Sequence, residues 1–218
     1  MPKGFVYKQK VSQHGPGRAL ALGDVHGCLR TLRKLVEERI RLERQDTLFL
    51  LGDYIHRGPA PGQVLDYLMA LQNQGYQVYP LRGNHEHYLL QTLATRGENL
   101  QQYLDKYGTY ELLPENGGQH YIDFIAALPY YIETEDYYLV HAGFNFAAPD
   151  PFSDYESMLY IRDYEPDAAL LKGKKIVHGH QPQHLRTIQM RVWAQATRIP
   201  LDNGIAHMSP HPLYDYTQ

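Results

Sequence analysis

Five short segments of the sequence each place a glycine or another small residue beside a side chain that can bind a metal ion. The segments are Gly23-Asp24-Val25-His26-Gly27, Gly52-Asp53-Tyr54, Gly83-Asn84-His85-Glu86, His141-Ala142-Gly143 and Gly179-His180. Their candidate ligands are carboxylate or amide oxygens and imidazole nitrogens, from Asp24, His26, Asp53, Asn84, His141 and His180. Such donors suit Mn²⁺, Fe or Zn²⁺ better than Ca²⁺, which prefers all-oxygen sites.

The number of donors indicates more than one metal ion. Six donors are too many for one open catalytic ion, but they suit two ions that share a bridging carboxylate. Two ions roughly 3.5–4 Å apart would activate a water and stabilise the attacking and leaving oxygens of an in-line displacement. Taken singly, Asp and Asn residues are also common in ordinary turns and helix caps, so it is the complete set that indicates a metal centre.

Strands and helices alternate in the part of the chain that carries the first three segments. Apolar runs at Ala19–Gly23, Asp46–Leu51 and Tyr76–Leu81 predict buried strands. Apolar residues have helical spacing after Gly27, and a second stretch with helical spacing runs from Pro61 through Leu71. This alternation is typical of βαβ units and a largely parallel sheet. Because the carboxyl ends of such strands face a common crevice, we expect the five segments to converge in space.

The remainder of the chain predicts more helix and then more strand. Residues 89–128 have a helical pattern interrupted by turns, and strands are predicted at Tyr137–Val140 and Lys175–Val177. Short β segments are predicted near Ile188–Ala194 and Arg198–Leu201. We therefore expect an α/β fold in one domain spanning residues 1–218, with a helical insertion at about 89–128.

The composition excludes several classes of function. Net charge is −3 without a basic block, so nothing indicates nucleic-acid binding. Met1 to Val11 lacks the apolar core of a signal peptide, and no apolar run reaches the roughly 18 residues of a membrane helix. The single cysteine, Cys28, excludes an internal disulfide and fits a reducing compartment. We expect a cytoplasmic protein with no nucleic-acid or membrane partner, and the sequence does not indicate its oligomeric state.

The five segments, in this order, resemble the signature motifs of the phosphoprotein phosphatase family within the calcineurin-like metallophosphoesterases. Leu128-Pro129, Tyr160-Ile161-Arg162-Asp163 and Leu201-Asp202-Asn203-Gly204 extend the likeness towards small bacterial-type serine/threonine protein phosphatases. The resemblance covers nearly the whole chain. It implies a central β-sandwich flanked by helices and a binuclear metal centre, with Mn²⁺ as the first expectation and Fe or Zn²⁺ as alternatives.

The resemblance also implies which residues hold each ion. The ligands would form two sets joined by a shared carboxylate: Asp24 and His26 on the first metal, Asp53 as the bridge, and Asn84, His141 and His180 on the second. His180 is preferred to His178 because the family places this ligand directly after a glycine.

Three further residues would act on the substrate if the resemblance holds. His85 would be the general acid that protonates the leaving oxygen. Arg57 and Arg162 would grip the phosphate, a task suited to the fixed fork of guanidinium donors. A structural ion pair is a rival role for both arginines.

One position departs from the family pattern. The residue before Arg57 is usually an Asp that orients the general acid, and here it is His56. The metal ligand Asp53 and Arg57 are kept, while the orienting carboxylate is lost. A protonated His56 would repel a proton on His85, so we expect a lowered pKa for His85.

The resemblance implies a metal-dependent phosphomonoesterase, acting as a protein phosphatase on phosphoserine, phosphothreonine or phosphotyrosine. A phosphorylated protein or a small phosphate ester would be the substrate. The alternative is a dinucleoside polyphosphate hydrolase, because the same fold supports cleavage of an anhydride; His26 weighs against the symmetrically cleaving enzymes, which usually carry Gln there. A non-catalytic scaffold is the third candidate, and the complete ligand set argues against it.

Overall fold

The computed structural model describes residues 7–12, 16–95 and 98–205, and its strands form two sheets. One is a parallel three-stranded sheet with the order β2 (Ala19–Leu22), β3 (Thr47–Leu50) and β4 (Gln77–Pro80). The other has five strands in the order β1 (Lys8–Lys10), β5 (Tyr131–Glu133), β6 (Tyr137–Val140), β7 (Lys175–His178) and β8 (Arg198–Pro200). Every neighbouring pair in it is parallel except β5 with β6.

The two sheets pack against each other through alternate side chains of their strands. Phe49 of β3 belongs to the same buried cluster as Leu139 of β6 and Val177 of β7, so this cluster lies between the sheets. Leu48 and Leu50 belong instead to the cluster on the other side of the smaller sheet. This division follows from the two-residue repeat of a strand, which sends successive side chains to opposite faces. Burial on both faces explains why β3 is apolar throughout.

Helices cover the outer faces of both sheets. The described α-helices are α1 (Leu29–Arg33), α2 (Pro61–Asn73), α3 (Asn84–Thr95), α4 (Glu98–Tyr107), α5 (Gln119–Ala127), α6 (Tyr155–Tyr160), α7 (Ala168–Leu171) and α8 (Leu185–Trp193). A π-helical segment, Lys34–Ile40, continues α1, and short 3₁₀ turns lie at Tyr110–Leu112 and Pro114–Asn116. Helix α2 begins at Pro61, where the missing N–H of proline costs nothing. The predicted α/β fold, with largely parallel sheets flanked by helices, is confirmed.

The structure corrects one predicted element. Ile188–Ala194 was expected to contain a β segment, because Ile188, Met190 and Val192 alternate with polar residues. Residues Leu185–Trp193 instead form helix α8, in which only Ile188 is buried. Met190 and Val192 are largely exposed, so the apparent alternation does not reflect a buried strand face. A helix closes its own backbone hydrogen bonds and needs no neighbouring strand.

Some short elements had no signal in the sequence. Strand β1 contains only Lys8–Lys10, and β5 contains only Tyr131–Glu133. Helices α6 and α7 are similarly short. The strand predicted at Arg198–Leu201 is confirmed as β8. Helices fill much of 89–128, while the division of the chain into one domain with an insertion stays a prediction.

Among the described residues, no helix combines the length and the apolar character that a membrane crossing requires. Residues 1–6, which belong to the segment used to predict that no signal peptide is present, lie outside the described residues. The expected cytoplasmic location therefore stays a prediction.

Candidate metal centre

All five segments singled out in the sequence meet at one end of the two sheets. Each begins within three residues of the end of a strand: three follow β2, β3 and β4 of the smaller sheet, and two follow β6 and β7 of the larger one. Four of them border a cavity of about 370 Å³, and His141 of the remaining segment contacts Asn84 and His180 in its lining. The lining consists of Asp24, His26, Asp53, Arg57, Asn84, His85, Arg162, His180, Pro182, Asp202 and Gly204. The expected convergence is thus confirmed, and it joins two sheets rather than one.

The first group of donors surrounds the Nε2 atom of His26. This atom lies 3.7 Å from Asp24 Oδ2 and 3.6 Å from Asp53 Oδ2. The other ring nitrogen, Nδ1, lies 3.2 Å from the carbonyl oxygen of Ile55, to which it can donate. A backbone carbonyl that accepts from one nitrogen of a histidine leaves the lone pair of the other free for a metal, which is the usual arrangement in metal sites.

The second group of donors surrounds the Nε2 atom of His141. This atom lies 2.8 Å from Asn84 Oδ1, 3.2 Å from His180 Nδ1 and 3.6 Å from Asp53 Oδ1. His180 Nδ1 also lies 3.0 Å from Asn84 Oδ1. His141 is fully buried, and its Nδ1 lies 2.7 Å from the carbonyl oxygen of Leu51. This carbonyl fixes the ring of His141 as the carbonyl of Ile55 fixes that of His26.

The second group fits a bound cation. In a neutral His141 that donates from Nδ1, the Nε2 atom is an acceptor, and so is the amide oxygen of Asn84. At most one atom of the trio, His180 Nδ1, can carry a hydrogen in that state, so acceptors face one another at 2.8 Å. His180 Nε2 is buried and has no hydrogen-bond partner among the described residues. A cation between His141 Nε2, Asn84 Oδ1 and His180 Nδ1 would give each of these three atoms a partner.

The carboxylates also favour a cation. Burial raises the pKa of Asp24 well above its ordinary value, and the nearby Asp53 raises it further. Burial likewise raises the pKa of Asp53, with Glu86 as the next cause. Buried charges of one sign are costly unless an opposite charge compensates them. Among the described residues, the ligand atoms of His26, Asp53 and His85 lie within 4.8 Å of one another, and so do those of Asp53, His141 and His180. Of these residues, His85 is the one that the resemblance assigns to the substrate and not to a metal.

Asp53 belongs to both groups and presents a different oxygen to each. Its Oδ2 faces His26 Nε2 and its Oδ1 faces His141 Nε2, both at 3.6 Å. Its Oδ1 also accepts the backbone N–H of His85 at 3.1 Å. A carboxylate with one oxygen directed at each group could bridge two bound ions.

Glycines are needed where the backbone approaches these carboxylates. A Cβ atom on Gly83 would lie 2.2 Å from Asp53 Oδ1, and one on Gly179 would lie 2.4 Å from Asp24 Oδ1. Either contact is far shorter than a van der Waals distance, so a side chain at these positions would displace the carboxylate. The glycines noted beside the metal-binding side chains are therefore required because a larger residue would not fit.

Backbone strain is concentrated at the site. Eight non-glycine residues in the described ranges have a positive φ, and the site contains five of them: His26, Asp53, His56, Arg57 and His180. This conformation is uncommon for residues other than glycine, Asn and Asp, and it persists only where the surroundings impose it. The side chains of four of them, His26, Asp53, Arg57 and His180, line the cavity.

Glu86 is a structural residue of the site that the sequence did not reveal. Its fully buried carboxylate accepts four backbone N–H groups, those of Asp53, Tyr54, Ile55 and Gly83. Glu86 thus ties the loop after β3 to the loop after β4. Its position directly after Asn84-His85 was the available signal, although a glutamate at the start of a helix is common for other reasons.

Asp202 is a second residue whose role was not predicted. It is buried, lines the cavity and raises the pKa of both Asp24 and Asp53 through its charge. Its Oδ1 accepts the backbone N–H of Gly204 at 2.7 Å. Asp202 increases the negative charge around the two groups and so strengthens the preference for cations.

The remaining predicted residues occupy distinct places. His85 Nε2 lies 3.8 Å from Asp53 Oδ2, and the exposed Arg57 and Arg162 line the same cavity. His178 is buried elsewhere, with its Nδ1 3.1 Å from the carbonyl of Gly179 and its ring against Tyr164. The structure therefore brings His180 to the donors and leaves His178 outside the cavity lining.

His56 lies at the departure noted in the sequence, and it contacts His85 directly. The two Nδ1 atoms lie 2.6 Å apart. Burial lowers the pKa of His56 to about 3, with the charges of His26 and Arg57 as further causes. The pKa of His85 is lowered, as expected. Burial is the main cause, and the charges of His26 and His56 lower it further.

Known proteins share this fold and part of the sequence. A symmetrical bis(5'-nucleosyl)-tetraphosphatase from Aromatoleum aromaticum is 33% identical over 129 residues, which cover 56% of this chain and 43% of the relative. The match thus spans less than half the length of that relative.

Solved structures resemble the whole described fold. The structure of a protein proposed to be a diadenosine tetraphosphatase matches 93% of this chain and 90% of its own, with a TM-score of 0.66 and 20% identity. A cold-active protein-tyrosine phosphatase from a psychrophilic Shewanella species matches 94% of this chain and 76% of its own, with a TM-score of 0.59 and 16% identity. At such low identity these likenesses show the fold alone.

The family model for calcineurin-like phosphoesterases matches residues 17–207 and so covers all five segments. The architecture, the convergence of the donors and this match agree with one another. The chain belongs to the calcineurin-like phosphoesterase family.

Proposed function

We propose that this protein is a metal-dependent hydrolase that cleaves a phosphoanhydride bond of a dinucleoside polyphosphate. The observation that carries the metal chemistry is the position of Asp53, which presents one oxygen to His26 and the other to His141. The symmetrical bis(5'-nucleosyl)-tetraphosphatases that match the sequence support this substrate class. The motifs of the sequence had favoured a protein phosphatase over a dinucleoside polyphosphate hydrolase, and we reverse that order because of these relatives. We do so although His26 stands where the symmetrically cleaving enzymes usually carry Gln.

The proposed ligands are those expected from the resemblance: Asp24, His26, Asp53, Asn84, His141 and His180. When bound, divalent ions at such a site supply Lewis-acid activation of water and of a phosphoryl group. Mn²⁺ remains the first expectation because the donors mix carboxylate, amide and imidazole groups. The buried carboxylates and the carbonyl-bound histidines hold these atoms in place before any ion arrives.

The rest of the site binds and orients the substrate. Arg57 and Arg162 line the cavity and are exposed, so their guanidinium groups can bind phosphate oxygens of an entering ligand. His85 lines the cavity beside Asp53, and its Nε2 can donate a hydrogen to the departing oxygen there. None of these three residues needs to contact the nucleoside part of the substrate. Selection of the nucleoside would then depend on loops outside the cavity.

Phosphomonoester hydrolysis, including that of phosphopeptides, is the second candidate. It is favoured by the two exposed arginines at one cavity, which suit a terminal phosphate with two charges. A leaving alkoxide needs a proton more than a leaving phosphate does, so this reaction makes a greater demand on His85.

The test is a substrate panel with Mn²⁺ supplied to the purified full chain. It contains a dinucleoside tetraphosphate, phosphoserine, phosphothreonine and phosphotyrosine peptides, and an aryl phosphate, with the Asp53→Asn variant as the blank. We expect kcat/KM for the tetraphosphate to exceed that for every phosphopeptide by roughly tenfold or more, a difference of about 1.4 kcal/mol in transition-state stabilisation. A phosphopeptide with the highest kcat/KM would overturn the proposal in favour of the second candidate.

A further inference from the structure

The hydrogen bond between His56 and His85 is the first link of a longer chain of polar groups. His56 Nε2 is hydrogen-bonded to the hydroxyl of Tyr103, and that hydroxyl accepts from Thr109 Oγ1 at 3.3 Å. His56, Tyr103 and Thr109 are each at most 1% exposed, so no bulk water competes for these groups. The chain links helix α4, which carries Tyr103, to the cavity that His85 lines.

Packing of aromatic rings holds this chain of hydrogen-bonded groups in place. The ring of Tyr107 stacks on His56 with centroids 3.8 Å apart and an angle of 12° between the planes. Tyr103 packs against both His56 and Tyr107, with centroid distances of 5.1 and 5.2 Å. The side chain of Lys106 lies over the ring of Tyr107, 4.9 Å from its centroid, and a hydrogen bond with Tyr107 raises the pKa of Lys106. Tyr107 therefore fixes the plane of His56 without belonging to the chain of hydrogen bonds.

The positions of the hydrogens follow from one direction of donation. Thr109 donates to the Tyr103 oxygen, so the Tyr103 hydroxyl donates to His56 Nε2. A neutral His56 then carries its hydrogen on Nδ1 and donates it to His85 Nδ1. A neutral His85 that accepts at Nδ1 carries its own hydrogen on Nε2, the atom 3.8 Å from Asp53. Every group in the chain has a partner in this arrangement.

We propose that Thr109, Tyr103 and His56 are positioning residues that hold His85 as the tautomer with its hydrogen on Nε2, directed at the departing oxygen of the substrate. This proposal adds positioning residues to the proposed hydrolase, and it rests on the proposed function for the identity of the reaction. A carboxylate in the place of His56 would accept from His85 Nδ1 and so would favour a charged imidazolium. His56 instead gives His85 the role of a neutral hydrogen-bond donor.

The consequence concerns the leaving group. A neutral imidazole N–H is a weak acid, so it stabilises a departing phosphate oxygen well but protonates a departing alkoxide poorly. Phosphate is the leaving group when a polyphosphate is cleaved, whereas an alkoxide leaves a phosphoserine. The chain of hydrogen bonds thus favours anhydrides over alkyl phosphates.

The tautomer can be measured without substrate or metal. In chelator-treated full-length protein labelled with ¹⁵N-histidine, nitrogen chemical shifts separate a ring nitrogen that carries hydrogen from one that does not, and His85→Gln assigns the signals. We expect hydrogen on Nε2 of His85 and on Nδ1 of His56. Hydrogen on Nδ1 of His85 in the unmodified protein would overturn the proposal, whatever the substrate panel shows.

Two variants test what sets the tautomer. Tyr103→Phe removes the donor to His56 Nε2, so the two directions of the histidine pair become similar in energy and the His85 shifts should become intermediate. His56→Asp should move the hydrogen of His85 to Nδ1, and it provides the test if Tyr103→Phe does not fold. Tyr107→Phe removes a neighbouring hydroxyl outside the chain and should leave the His85 shifts unchanged. Unchanged shifts in both Tyr103→Phe and His56→Asp would contradict the proposal.

A kinetic measurement separates positioning from a merely structural role. With a series of aryl and alkyl phosphates, Tyr103→Phe should lower kcat by roughly tenfold for the poorest leaving groups and by less than about twofold for an activated aryl ester, with KM little changed. An equal loss for all leaving groups would show a structural role only and would overturn the positioning role. Failure of the tetraphosphate in the substrate panel would instead refute the proposed function and leave the tautomer measurement standing.

Discussion

The carboxylate of Glu86 accepts the backbone N–H of Asp53 at 2.8 Å, so a buried charge that binds no substrate holds the proposed bridging ligand in its strained conformation. The same carboxylate accepts the N–H of Gly83 at 2.9 Å and those of Tyr54 and Ile55. Two loops that are about 30 residues apart in sequence are thereby joined through one carboxylate group. The geometry of the centre depends on this residue as much as on the ligands.

Replacing Glu86 by Gln should therefore cost more stability than its small change in size suggests. The amide NH₂ would face at least one backbone donor and leave it unsatisfied, so we expect unfolding to become easier by about 2–3 kcal/mol. Urea denaturation of the metal-free protein measures this. Glu135→Gln, at an exposed position, is the matched control and should change stability by less than about 0.5 kcal/mol. A loss in Glu86→Gln no larger than that of the control would refute the role of Glu86.

Adding a methyl group at Gly83 should weaken metal binding. The new Cβ would lie 2.2 Å from Asp53 Oδ1 and 2.7 Å from Glu86 Oε2, so Asp53 must move. We expect Gly83→Ala to bind Mn²⁺ at least roughly tenfold more weakly, as measured by titration calorimetry. Gly108→Ala is the control, because its Cβ would meet no atom within 4 Å and its cost is limited to a strained φ of +63°. Equal Mn²⁺ affinity in the two variants would contradict the steric account.

Buried His87 should make the fold less stable in mild acid. Burial lowers its pKa to about 4, with the charge of Arg82 as a further cause. Because the folded pKa lies below the unfolded value, the contribution of His87 to stability is complete above about pH 6.5 and is lost as pH falls towards 4. His87→Gln should reduce the loss of unfolding free energy between pH 7 and pH 5 by about 1 kcal/mol, allowing for partial solvent screening.

Chemical denaturation of the metal-free protein at both values checks this prediction. Parent and variant should show the same change between pH 8 and pH 7, where His87 is neutral in folded and unfolded chains alike. If the loss between pH 7 and pH 5 were identical in parent and variant, His87 would have no part in acid destabilisation.

The sequence predicted the ends of the strands and the residues that follow them. Apolar runs stopped by Gly-Asp or Gly-Asn located β2, β3 and β4, and the parallel arrangement then required their polar ends to meet. Gly83 and Gly179 could be read as sites of close approach for the same reason. These features depend on local residue types, which a single sequence displays.

Contacts between distant segments could not be predicted in this way. Tyr103 reaches His56 across 47 positions, and neither residue type indicates the other. The lowered pKa of His56 was not predicted for the same reason, because it results from burial, to which Tyr103 of helix α4 contributes. Helix α8 was mistaken for a strand because the sequence does not show which of Ile188, Met190 and Val192 is buried. Tertiary packing, and not local pattern, settles all of these.

The central claim is that Asp53 bridges two metal ions, and a titration of chelator-treated protein with Mn²⁺, followed by metal analysis and electron paramagnetic resonance, tests it most directly. The account predicts two ions per chain with an exchange-coupled spectrum. Asp53→Asn should lose the coupling and at least one ion, while His178→Gln, outside the cavity lining, should keep both. One ion per chain, two uncoupled ions, or coupling that survives Asp53→Asn would contradict the account.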